Sequence, residues 1–479
     1  MTKHPLPNAT AAGTPRARAA RRTAVVVVVA AAAIVVLATP AGAHAFGRRK
    51  DLPLPAWMFF AGGGTAVLFS FVALGSLWRT SRLERPITGW ALPRPVQAAA
   101  PVLAVVTRVV GLLLYLGVFV TAAVGENNPE FNAAPRAVYV VFWVGMTLVS
   151  AFIGDLWRLL SPFETVHALI RWSRGRSGGT GEDPPAAGYD LGYWPAAVLL
   201  FGFVMLELGV YSDAAQPRVV ATAMVVYTVV VGAAGALGGP RALREGEPFA
   251  AFFGLLAHMA PFYRDAEGCL RVRPPLVGLT RLRYRPGQAA VVLVALGTTS
   301  FDGVTRTQFW IDLTVGQSQQ DKLLTDTLGM AWMVGVVAIL YVGAMRMAAR
   351  MTGEDHEVLT RAFVHTLVPI ALAYAMAHYF SFLVIETNRF IGQVSDPLGR
   401  GWDLIGTLDW VDNLKIISAS AIAYVQAGSI VLGHVAGVLL AHDRAVARFS
   451  GNMATRSQYP LLIAMVAYTV GGLALLLSG

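Results

Sequence analysis

Ten apolar runs, each close to the length of a membrane crossing, follow one another along this chain with only short polar stretches between them. They fall near 56–78, 98–124, 137–157, 194–212, 218–238, 287–302, 327–348, 358–386, 415–442 and 457–478. Lipid offers no partner for a backbone N–H or C=O, so a chain that crosses it must close its hydrogen bonds internally, and a helix needs roughly 20 apolar residues to do so. The series predicts an all-α, polytopic transmembrane helical bundle of about ten spans. The run at 287–302 is the shortest. An extra apolar stretch at 248–262 either lies in the interface or dips into the bilayer. Charged residues are only 14% of the 479, against roughly 25% in soluble domains, too few to coat a water-facing surface. A lipid bilayer is therefore the expected surrounding.

The N-terminus reads as a processing signal. Arg16, Arg18, Arg21 and Arg22 precede an apolar run from Thr23 to Leu37, and Ala38-Thr39-Pro40-Ala41-Gly42-Ala43-His44-Ala45 follows. A basic segment, a short apolar segment and small residues in alternation describe a secretory signal peptide. The expected division is a signal peptide over 1–43 and a single transmembrane domain over 44–479, with a flexible Gly/Ser/Pro linker near 175–190. Cuts after Ala43 and after Ala45 both satisfy the small-x-small rule. The first leaves His44 at the terminus, where its amine and ring nitrogen form a chelate suited to Cu(II). The plainer alternative is that His44 is only a residue beside the cleavage point.

Arginines set the orientation. Loops holding Arg79, Arg82 and Arg85, then Arg158 and Arg171, then Arg264 to Arg285, then Arg346 and Arg350, then Arg444 and Arg448 alternate with acidic or mixed loops. That pattern places the arginine-rich loops inside and both mature termini outside a plasma membrane. It also accounts for the net charge of +10 as topology, with no nucleic-acid partner required. The lone cysteine, Cys269, excludes a disulfide framework or thiolate cluster.

Ionisable residues inside spans are costly and are candidates for function. Glu207, Asp302, His378 and Glu386 fall toward the outer side; Asp155, His365, His434 and His442 fall toward the inner side. His378 and Glu386 differ by about 80° and about 12 Å on a helix, so they can line one cavity. The charged, turn-rich region 386–407, with Asp396, is placed either to cap it or to form a solvated loop anchored at the headgroups by Trp402 and Trp410. The candidate catalytic set is Asp302, His378, Glu386 and Asp396, with His44 and His378 as candidate metal ligands. His365 and His434 invite haem. His365 and His378 are separated by about 220° of helix, which disfavours two stacked haems. One b-type haem or a metal between neighbouring helices through His365 and His434 stays open, beside simple hydrogen bonding across helices. No phosphate-binding loop, His-Glu-x-x-His, Gly-x-Ser-x-Gly or dinucleotide fingerprint is present.

Five segments, taken in order, carry a resemblance: Ala43 to Pro55, Ser300-Phe301-Asp302-Gly303, Ala377-His378-Tyr379, Ser395 to Leu404, and Leu432-Gly433-His434. Together they resemble the bacterial multi-pass membrane proteins called fenitrothion hydrolases, over most of the chain from His44 onward. The resemblance implies hydrolysis of an organophosphate triester at the membrane, a reaction served by a metal-bound water. Two functions follow: an outward-facing hydrolase, with copper or another divalent metal as its cofactor, or a transporter or a copper- or haem-handling protein. Polar groups gathered at one depth suit the enzyme, and groups spread through the bilayer suit transport of a small-molecule or metal-ion ligand.

Overall fold

The computed structural model describes residues 54–85, 89–173, 189–209, 214–413 and 416–477. The expected signal peptide, His44 and most of the linker near 175–190 lie outside these residues.

Eleven helices organise the fold: α1 (Ala56–Leu77), α2 (Arg94–Val124), α3 (Ala134–Phe152), α4 (Trp194–Gly209), α5 (Pro217–Arg241), α6 (Pro248–Ala257), α7 (Gln288–Thr305), α8 (Gln319–Thr352), α9 (Val368–Ser395), α10 (Ala419–Arg448) and α11 (Tyr459–Leu477). Among the described residues nine helical segments are long and apolar enough to cross a membrane, and α4 is a shorter apolar helix. With α4 counted, the helices match the ten runs in order, and the chain is an all-α polytopic bundle. Apolar residues such as Leu103, Leu113, Val226 and Leu237 face outward, as lipid-facing positions require.

The shortest run is the most enclosed of the nine spanning candidates among the described residues. In its most apolar window α7 has 67% of its residues buried inside the bundle, whereas α2 has 6%. A helix surrounded by other helices needs no long lipid-facing stretch. The extra apolar stretch dips inward as α6. At ten residues it rises only about 15 Å, too little to cross, and it buries Phe249, Phe252 and Phe253. Phe249 packs against Phe142 and Phe203 with ring centroids 4.8 and 4.9 Å apart. Its entry is held by Glu247, whose buried carboxylate accepts from the N–H groups of Phe249 and Ala250, from Trp157 Nε1 at 3.0 Å and from the Tyr227 hydroxyl at 2.5 Å. A carboxylate at a helix N-terminus takes up the unpaired N–H groups and meets the positive end of the helix dipole.

The two sets of loops meet at opposite ends. At the arginine-rich end, Asp443 of α10 is fully buried and accepts from Trp78 Nε1, Ser81 Oγ and the backbone N–H groups of Arg82, Leu83 and Glu84. This ties α10 to the exit of α1. A small antiparallel sheet of β1 (Trp90–Ala91), β2 (Phe262–Arg264) and β3 (Leu270–Val272), in the order β1-β3-β2, joins the loops there. At the acidic end, the Glu126 N–H donates to the Leu398 carbonyl, the Ala133 N–H to the Pro397 carbonyl, and the Arg218 N–H to Asn127 Oδ1.

α9 begins after a 3-10 turn at Val364–Leu367, where Pro369 near its start can supply no N–H. Helices α9 and α10 then approach closely. A Cβ added at Gly433 would stand 2.2 Å from the Ala373 Cβ and 2.8 Å from the Pro369 carbonyl, and one at Gly437 would stand 2.9 Å from the Thr366 carbonyl. Backbone cannot yield as a side-chain tip can. Gly433→Ala should therefore cost about 1–3 kcal/mol of stability through overpacking, read as a lower unfolding midpoint of the purified protein in detergent. Gly428→Ala on the same helix, where a Cβ meets nothing within 4 Å, should be neutral or stabilising. Equal effects at the two glycines would contradict this packing.

Candidate functional site

The last turns of α7 and the middle of α9 bring Asp302 and His378 together. His378 Nδ1 lies 3.3 Å from Asp302 Oδ2, and Arg306 Nη2 reaches the same oxygen at 2.8 Å. Arg306 stands four residues after Asp302, one turn along as α7 ends, so the helix itself sets that pair. The aspartate and histidine side chains are only 15% and 13% exposed, while the arginine is 56% exposed. The dyad is thus sheltered, with a guanidinium at its open edge.

Beside it is a cavity of about 30 Å³, room for one or two waters. Ser300, Arg306, Tyr374, His378, Ile430 and Gly472 are among the residues that line it. With His378 Nδ1 engaged by a carboxylate, Nε2 is the nitrogen left for a guest. Tyr379, the next residue, packs edge-on against His378 with centroids 4.3 Å apart and donates its hydroxyl to Glu207 Oε2 at 3.0 Å. Glu207 of α4 therefore joins the neighbourhood of the dyad through a phenol.

The other expected site residues lie elsewhere. Glu386 sits in α9 and forms ion pairs with Arg136 Nε at 2.7 Å and Arg389 Nη1 at 3.0 Å; Arg136 also meets Glu130, and Arg389 meets Asp412. Asp396 accepts from the N–H groups of Arg400 and Gly401, which shapes a turn. α9 continues to Ser395, so the 396–413 loop does not cap His378. It reaches back only as far as Asn388, through Trp410 Nε1 at 2.8 Å, ten residues or about 15 Å of helix from His378.

His365 and His434 are not brought face to face. The His434 ring lies beside the stacked pair Tyr374 and Tyr468, with its centroid 6.0 Å from each. His365 belongs to the 3-10 turn before α9, beside Thr366, which faces Gly437, about one turn beyond His434 on α10. His442 has both ring nitrogens occupied, Nδ1 by Gln458 Oε1 and Nε2 by the Trp78 carbonyl, and acts as a helix tie.

Among the described residues no three or more His, Cys, Asp or Glu side chains are placed to hold a metal ion. The dyad offers two donors, one of them already on a guanidinium, short of the three protein ligands usual for a catalytic divalent site. These residues do not fit the expected metal centre, and His44 lies outside the described residues. Arg306 escaped the sequence reading, and Ser300 and Tyr379 entered it only as neighbours of Asp302 and His378 in the segments that carry the resemblance. The four-residue spacing of Asp302 and Arg306 was the available signal for the first. No family model, no curated protein and no solved structure matches this chain.

The acidic-end loop has its own electrostatic lock. Asp403 Oδ1 accepts from Ser395 Oγ at 2.6 Å and the Leu408 N–H at 3.1 Å, and the Ser395 hydroxyl hydrogen bond holds the Asp403 carboxyl below its usual range. A depressed carboxyl contributes order above its unfolded value, about 3.9, and loses it as pH falls through the folded one. Amide exchange at Leu408 should stay slow down to about pH 4 and quicken only below it. Ser395→Ala should quicken it at neutral pH. Protection that is insensitive to both changes would remove Asp403 from the account.

Proposed function

We propose that this chain is a membrane-embedded hydrolase with an outward-facing acid–base site, in which Asp302 and His378 activate water for attack on a phosphotriester. The observation that carries the reading is the contact of His378 Nδ1 with Asp302 Oδ2 at the edge of a cavity sized for water. Asp302 holds the proton on Nδ1 and leaves Nε2 as the base. Water in the cavity loses its proton to Nε2 as its oxygen bonds to phosphorus. The P–O bond to the aryl group breaks, the phenol departs as its anion, and a diester remains. Arg306 at the open edge is suited to the charge that develops on the phosphoryl oxygen.

The cavity is far smaller than the roughly 300 Å³ or more that a drug-sized molecule needs, so the ester approaches from the mouth and only water enters. Of the segments that carry the resemblance to fenitrothion hydrolases, those around Ser300 and Ala377 contribute residues to this cavity. The transport reading is less well supported. Glu207, Asp302 and His378 gather in one neighbourhood, and α9 and α10 are closely packed at Gly433 and Gly437.

Purified protein in nanodiscs should release nitrophenol from an aryl dialkyl phosphotriester. His378→Gln and Asp302→Asn should each lower kcat by at least about 100-fold, with the thermal unfolding midpoint little changed. Arg306→Met should act on kcat more than on KM. Full activity in the first two variants, or no activity in the wild-type protein, would reject the proposal.

A further inference from the structure

We infer that the short helix Gln308–Thr314, in the loop between α7 and α8, is seated in the membrane leaflet at the acidic end of the bundle, with phospholipid against its apolar flanks. The inference rests on the packing of this helix on α7 and α8 and holds whether or not the dyad hydrolyses an ester.

Trp310, only 5% exposed, anchors the helix and sets its depth. Its indole packs edge-on against Phe301 with centroids 4.9 Å apart, and its Nε1 donates to the buried Asp326 Oδ1 at 2.8 Å. The same ring fills the space at Gly329, where an added Cβ would stand 2.2 Å from it. Phe301 is next to the last residue of the apolar run 287–302, and Asp326 and Gly329 bracket the start of the run 327–348. The helix is therefore held at the edge of the hydrocarbon region. α8 extends beyond Asp326 to Gln319, about two more turns, so the short helix sits below the end of α8.

The exposed surface agrees with that depth. At about 100° per residue, Trp310 and Thr314 share the face turned to the bundle, and Gln308 and Asp312 lie opposite. Thr314 is buried, and Gln308 Nε2 donates to Asp312 Oδ1 at 2.7 Å. Phe309 and Leu313 form one flank and Ile311 the other, and the chain leaves the helix through Val315. All four are exposed, Phe309 at 68% and Val315 at 75%. Water around four large apolar side chains is unfavourable, and lipid relieves it. Lipid already covers the adjoining surface of a spanning helix: Leu324, Leu328, Trp332 and Ile339 are exposed along one strip of α8, and Leu328 is next to Gly329, where Trp310 docks. Apolar flanks beneath a polar crest describe a helix lying in the membrane interface. Arg306, two residues before this helix, then stands at headgroup depth, so the open edge of the Asp302–His378 site meets the membrane surface instead of open water.

Spin labelling tests the depth. In a Cys269→Ser background, which removes the exposed native thiol, a nitroxide is attached through Phe309→Cys, Leu313→Cys, Asp312→Cys or Leu328→Cys in full-length protein held in phosphatidylcholine–phosphatidylglycerol nanodiscs. Power saturation compares collisions with oxygen, which concentrates among acyl chains, and with a neutral Ni(II) chelate, which stays in water. Labels at positions 309 and 313 should favour oxygen several-fold, as the reference at 328 on α8 does, and the label at 312 should favour the chelate. A preference for the chelate at 309 and 313 equal to that at 312 would put the helix in water and overturn the inference. Shielding of 309 and 313 from both reagents would show protein on the flank, such as a second copy of this chain, and would overturn it as well.

Discussion

The close approach of α9 and α10 at Gly433 and Gly437 governs the centre of this molecule. Between helices in lipid there is no hydrophobic gain to drive association, so contact depends on small residues that let backbones meet. That contact sets Tyr374 against His434 and Tyr468. It also presents the next turn of α9, with His378, to the end of α7 where Asp302 lies. Enclosing α7 completes the arrangement, because only a helix deep in the bundle can offer a carboxylate to a neighbour away from lipid.

The carboxylates of the bundle separate by how fully they are satisfied. Asp443 receives two side-chain donors and three backbone N–H groups, and Glu247 receives two of each. Glu386 is shared between two arginines. These groups fasten elements, and leaving any of them unpaired would cost several kcal/mol. Asp302 differs. One of its oxygens serves both Arg306 and His378, and the histidine borders a cavity. A carboxylate committed to orienting an imidazole, with space beside it, is arranged for proton transfer.

The spans and their alternation were legible because length of apolar run and position of arginine are one-dimensional signals that lipid imposes directly. The pairing of Asp302 with His378 was legible as a shared depth. Glu386 was misplaced because eight residues along a helix put two side chains on one side without revealing that Arg136, from α3, reaches the farther one first. Asp396 was misplaced because α9 runs on to Ser395, carrying the loop away from His378. The His365–His378 angle assumed a regular helix, and the 3-10 turn at Val364–Leu367 interrupts it. The 287–302 run is short because α7 is enclosed, and enclosure relaxes the length that lipid demands.

The dyad within the bundle is the claim on which the chemistry depends. Solid-state NMR on protein in lipid, with labelled histidine nitrogen and aspartate carboxyl carbon, measures it directly by rotational-echo dipolar dephasing. The account predicts strong dephasing of His378 Nδ1 by the Asp302 carboxyl, at a separation matching the 3.3 Å contact between nitrogen and oxygen, lost in Asp302→Asn that lacks the carboxyl label. A His378 signal undisturbed by the aspartate label would show the two side chains apart and contradict it.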